Sequence, residues 1–80
     1  MITVQYYGEL YHLTGARFDT LEADSVQDVL VFMQKRYGEN VFACARHSLV
    51  YRNRTLVFDL NRVYLRDGDL LSFFPPAAGG

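Results

Sequence analysis

The sequence predicts an α+β domain in which a mixed sheet is wrapped on one main helix. Three observations carry that expectation. The chain opens on "ITVQYY" and nears its end on "LLSFF", both with the two-residue period of strands. Between them one segment, starting at Ser25, has the 3.6-residue period of an amphipathic helix. Eighty residues, half of them hydrophobic, make one small domain in which the apolar faces of sheet and helix must cover each other.

In the first strand Ile2, Val4 and Tyr6 share one face, and Thr3, Gln5 and Tyr7 the other. "GELYHLTG" follows, with Leu10 and Leu13 three apart between Gly8 and Gly15, which fits one helical turn or a loop pinned by both leucines. "ARFDTLEA" reads as a second strand that closes a hairpin around this insert. The main helix carries Val26, Val29, Leu30, Met33 and Tyr37 on one stripe. Ser25 is its N-cap, Asp28 suits its positive end, Lys35 and Arg36 suit its negative end, and Gly38 is expected to close it in a left-handed conformation. Phe32, off the stripe, covers the helix edge or meets the "VFACA" segment, to which no element is assigned. Strand periods then return with Leu49 and Tyr51, Leu56 and Phe58, and Val63 and Leu65, punctuated by turn signals at Asn53, Asp59, Asn61 and Asp67-Gly68. The last strand sets Leu71 and Phe73 on one face against Leu70, Ser72 and Phe74 on the other. The resulting order is ββαββ, with two or three strands after the helix.

Composition narrows the function. A net charge of −1 supplies no field to hold a phosphate backbone, so nucleic acid is not the expected partner. The single Cys44 cannot form an internal bridge, which fits a reducing compartment, and no signal peptide or long apolar run points to export or a membrane; a cytoplasmic location is expected. Cys44, His47 and His12 are three potential metal ligands where structural zinc takes four in a recognisable spacing, so packing or surface roles are expected and no metal site. Cys44 has no base paired with it in the sequence that would make it a nucleophile. Without a Walker-type glycine loop the chain is not expected to bind ATP alone.

The end of the chain, "FFPPAAGG", asks for a separate explanation. Together with "LRDGDLLSFF" before it, it resembles the ubiquitin-like sulfur-carrier family of β-grasp fold. Within that family it is most similar to the small subunits of molybdopterin synthase. The matching positions are Asp67, Gly68, Asp69, Phe74, Pro75, Pro76, Gly79 and Gly80, supported near the front by Leu10, Leu13 and Gly15. Where that subgroup usually has an Asn-Gly hairpin turn, this chain has Asn53-Arg54. The resemblance divides the chain into a β-grasp domain, residues 1–74, and a C-terminal activation tail, residues 75–80.

The resemblance implies a covalent role for the tail. A carboxylate is a poor electrophile, so Gly80 would be adenylated with ATP by an E1-like enzyme and converted to a thiocarboxylate with sulfur from a donor protein. It would then enter the large subunit of molybdopterin synthase and give its sulfur to a pterin precursor. The chain would thus be a cosubstrate in a hetero-oligomer, with no bound cofactor. The residue types suit that task. Gly79 and Gly80 allow close backbone approach. Pro75 and Pro76 restrict the tail to extended forms and lower its ordering cost. Ala77 and Ala78 add reach with little bulk, and six extended residues span roughly 20 Å. Tyr7, Leu60 and Phe74 are candidates for an apolar docking patch beside the tail exit, or else complete a small core. Arg52, Arg54 and Arg62 either pair with an acidic partner or protect strand edges. The same chemistry serves thiamine synthesis, tRNA thiolation and protein modification; a ubiquitin-like docking module with an inert tail is the alternative of a different class.

Overall fold

The computed structural model describes residues 1–76; Ala77, Ala78, Gly79 and Gly80 lie outside the described residues. Strand β1 (Ile2–Tyr6) leads into helix α1 (Gly8–Thr14) and strand β2 (Phe18–Leu21). Helices α2 (Val26–Tyr37) and α3 (Glu39–Arg46) follow, then strands β3 (Leu49–Arg52) and β4 (Thr55–Val57), a 3₁₀ turn (Leu60–Arg62) and strand β5 (Leu70–Phe74). The sheet order is β2-β1-β5-β3-β4, antiparallel throughout except for the parallel pair of β1 with β5. The expected α+β architecture is therefore present as a five-stranded mixed sheet covered on one face by helices. Among the described residues no helix is long and apolar enough to cross a membrane.

The core forms where the two periodicities meet. Ile2, Val4 and Tyr6 of β1 and Leu71 and Phe73 of β5 are buried against Val26, Val29, Leu30 and Met33 of α2. Ser25 caps α2 as expected, its Oγ accepting from the Asp28 backbone N–H at 3.2 Å. Its other end differs from expectation. Gly38 has φ +99° but ψ −176°, outside the left-handed helical region, because it joins two helices and serves as the first residue before α3. Helix α3 has no assigned counterpart in the sequence reading. Val41 and Ala45, four apart, bury its inner face, and Phe32 and Phe42 pack half-buried around the same core.

Three further expectations are corrected. Leu10 is buried, but Leu13 is exposed: three residues on, it lies about 60° round the helix from Leu10, beyond the face that packs on the core. In β3 the period is right and the phase is reversed: Val50 is buried while Leu49 and Tyr51 face outward. Register explains this, because Val50 stands opposite Phe73 and Val57, and paired residues share a face. Strand β4 ends at Val57, leaving Phe58 92% exposed, and Val63 and Leu65 form no strand. Instead the segment is lashed to the start of α2. The Val26 N–H donates to the Val63 carbonyl (3.1 Å), and the Leu65 N–H to the Asp24 carbonyl (2.8 Å).

The turn that launches β5 is organised by Asp69. Its carboxylate accepts from the Arg66 N–H (2.8 Å), Asn53 Nδ2 (3.1 Å) and Arg52 Nε (3.1 Å). Asn53, at the β3–β4 turn, adopts φ +56°, a conformation that Asn tolerates better than most residues. Its side chain also accepts from the Leu70 N–H (3.0 Å). The Arg66 backbone hydrogen bond, with help from Asn53 and Arg52, holds the Asp69 carboxyl below its ordinary range against an opposing effect of burial.

Phe73→Ala, which empties a fully buried ring site, is expected to lower unfolding free energy by about 3–5 kcal/mol in urea titration. For Asp69 the folded carboxyl titrates below the unfolded value of 3.8, so its contribution is complete above that pH and is lost as the pH falls through the folded value. The stability gap between wild type and Asp69→Asn is accordingly expected to narrow from about pH 6 to about pH 2; a constant gap would show that the charge is immaterial.

Candidate functional site: the open sheet face and the tail exit

The helices cover one face of the sheet and leave the other open. Across it the register lines up Phe18, Gln5, Ser72, Tyr51 and Leu56 in one row. Towards the exit of β5 the next row contains Phe74, paired opposite Leu49. The Tyr7 ring stacks on Phe74 with centroids 4.3 Å apart and planes 12° from parallel, and Tyr51 meets Phe74 edge-on at 5.7 Å. Both geometries favour aromatic pairs. Phe18, Leu49, Tyr7 and Phe74 are nonetheless exposed. A groove of about 560 Å³ runs between Leu49, Tyr51, Arg54 and Phe74.

Polar groups hold this surface in place. The Tyr7 hydroxyl donates to Gln5 Oε1 (2.7 Å), and the Tyr7 N–H donates to the Phe73 carbonyl (3.2 Å), carrying the β1–β5 pairing one residue beyond β1. The chain then turns into α1 at Gly8, whose φ of +54° favours glycine. A Cβ built there would stand 3.5 Å from Pro75 Cγ, an ordinary van der Waals contact, so the first tail proline lies beside Gly8. Pro75 is half-buried and Pro76 exposed. Beside them Tyr7, Gly8, Tyr11, Arg17 and Phe18 border a notch of about 370 Å³, with the Arg17 guanidinium 5.4 Å from the Tyr11 ring centre.

Tyr7, Phe74 and Pro75 are thus brought together, but Leu60 is not with them. The Asp59 carboxylate accepts from the Asn61 N–H (3.0 Å) to start the 3₁₀ turn, and Gln27 of α2 hydrogen-bonds Asn61. These contacts draw Leu60 to the helical side, where it packs against the core beside Leu30 and Phe42. Of the three arginines, Arg52 is committed to Asp69 and Arg62 lies 3.5 Å from Asp59, while Arg54 borders the open groove. Leu49, Tyr51 and Phe18 join this surface although they are not among the residues expected from the sequence, because long-range pairings turn them outward: Val50 opposite Phe73 for the first two, and Phe18 opposite Gln5.

Cys44 is half-buried on α3, and burial, with the charge of Glu9, raises its thiol pKa, the opposite of what activates a nucleophile. No group of three or more His, Cys, Asp or Glu side chains is gathered for a metal among the described residues. What the surface offers is an apolar platform beside a chain exit.

This architecture defines a ubiquitin-like β-grasp protein. The ThiS family matches residues 4–80, and the chain belongs to that family, as a ubiquitin-like sulfur carrier. Among solved structures, the small archaeal modifier protein 1 of Methanosarcina acetivorans is similar, with a TM-score of 0.81 at 19% identity over 99% of this chain and 95% of that one. A chain of the BexX/CysO complex of Amycolatopsis orientalis gives 0.79 at 23% identity, with 100% of both chains covered. A chain from the complex of subunits 1 and 2 of the molybdopterin-converting factor of Helicobacter pylori gives 0.71 at 23%, covering 99% and 97%. These likenesses are of fold. No curated protein matches the chain closely enough to count as a relative.

Removing the central ring tests the platform. Phe74→Ala is expected to weaken binding of a protein that docks on this face by about 1–3 kcal/mol in calorimetry while leaving most of the stability intact; unchanged affinity would place Phe74 outside the interface.

Proposed function

We propose that this sulfur carrier acts as the small subunit of molybdopterin synthase. An E1-like enzyme adenylates the Gly80 carboxylate using ATP, a sulfur donor protein converts the adenylate to a thiocarboxylate, and the large subunit receives the tail. There the sulfur passes to a pterin precursor. The chain contributes no catalytic side chain and holds no cofactor; it is a cosubstrate within a hetero-oligomer, working in the cytoplasm.

The observation that carries this reading is the stacked Tyr7–Phe74 pair on the open face, set directly at the point where Pro75 leaves the sheet. A partner seated on those rings necessarily meets the base of the tail. Docking and tail delivery are then one event. The glycines and alanines of residues 77–80 suit threading into a narrow site, and the fold likeness to a molybdopterin-converting factor chain supports the choice of pathway. The likeness to a small archaeal modifier protein supports a second acceptor for the same activated terminus, an amine of a protein. Thiamine synthesis and tRNA thiolation would use the same activated tail.

Deletion of Gly80 discriminates a carrier from an inert docking module. Cells depending on the truncated chain are expected to lose molybdenum-enzyme activity although the truncated domain still folds and still binds the large subunit. Retained activity would contradict the proposal.

A further inference from the structure

An acyl-adenylate is attacked by any free amine, so a chain that carries one is exposed to its own side chains. Here the sequence is unusual: of eight basic residues seven are Arg and one, Lys35, is Lys. Guanidinium groups stay protonated and do not act as acyl acceptors, whereas a lysine amine does. The other amine is the Met1 α-ammonium. It is held by Asp67 and lies 3.4 Å from Glu22, and the Met1 carbonyl accepts from the Gly68 N–H (2.8 Å), so the terminus is tied to the turn before β5. Its hydrogen bond to Asp67, with the charges of Asp67 and Glu22, raises its pKa above the ordinary value.

Lys35 stands in contrast. It is exposed on the last turn of α2, on the helical side of the sheet, and pairs with no acid among the described residues. Glu39, one turn on, is occupied by Gln34 Nε2 at 2.7 Å. A partner covering the open sheet face therefore leaves Lys35 uncovered.

We propose that Lys35 is the acyl-acceptor site of this chain, so that copies become joined through a single Gly80–Lys35 isopeptide linkage. This rests on the activation of Gly80 argued above. In the step, the uncharged ε-nitrogen attacks the glycyl carbonyl carbon. The C–N bond forms, the C–O bond to AMP breaks, AMP leaves with that electron pair, and the extra proton on nitrogen passes to solvent.

The site can be tested apart from the activating enzyme. Full-length chain bearing Gly80 as a small-thiol thioester is mixed with unmodified chain and followed by intact-mass spectrometry. The expected product is two chains joined with loss of the thiol and stable to excess reductant, which separates an amide from a Cys44 thioester. Trypsin should release peptide 18–36 carrying peptide 67–80 on Lys35, because the acylated lysine resists cleavage. Lys35→Arg should lower the yield about tenfold or more. An undiminished yield from Lys35→Arg, linkage at Met1, or no linked product from wild type would each overturn the assignment. Pyrophosphate release from ATP with an E1-like enzyme, measured in parallel, reports activation alone, so its failure would strike the carrier cycle and not the acceptor site.

Discussion

The parallel pairing of the first strand with the last is the constraint on which the rest of the structure depends. Val4 beside Leu71 and Tyr6 beside Phe73 bring the two ends of the chain to the centre of the sheet, and all four side chains are buried. Each such side chain contributes on the order of 1.5–3 kcal/mol on burial, so the centre of the sheet is also its most strongly held part. Because the pair is parallel, β5 ends where β1 ends. The tail must then leave beside Tyr7 and Gly8, whatever lies beyond it.

That geometry couples stability to function through one alternation. Leu71 and Phe73 face the helices; Ser72 and Phe74 lie on the opposite face, Ser72 buried and Phe74 exposed. Moving the register by one residue would bury Phe74, expose Phe73 and destroy both core and platform together. The Asp69 cluster guards against that slip. By tying Arg52, Asn53 and the Arg66 backbone to the residue just before β5, it fixes β3 and β5 in phase at the end remote from the tail. A polar network at one pole thus sets the aromatic surface at the other.

Much of this was legible in the sequence because it is local. The β1 and β5 faces follow from strict alternation, and the α2 stripe and its Ser25 cap from spacing and residue type. The tail's departure from Phe74 is written in the two prolines. What escaped depends on long-range registers. Leu49 and Tyr51 look like core until Val50 is known to oppose Phe73. Leu60 looks like a companion of Phe74 until Gln27 and Asn61 draw its turn onto α2. Helix α3 was obscured because Gly38 gives it no side-chain cap, although Glu39 in its first turn and Arg46 in its last are the charges a helix favours there.

The central claim is that this fold exists to present Gly80 as an activated, sulfur-bearing terminus. Intact-mass spectrometry of the chain after incubation with ATP, an E1-like enzyme and a sulfur source tests it most directly. The account predicts a mass shift equal to exchange of one carboxylate oxygen for sulfur, reversed on adding the large subunit and pterin precursor as molybdopterin appears. A mass that stays constant while the activating enzyme turns over its ATP would contradict it.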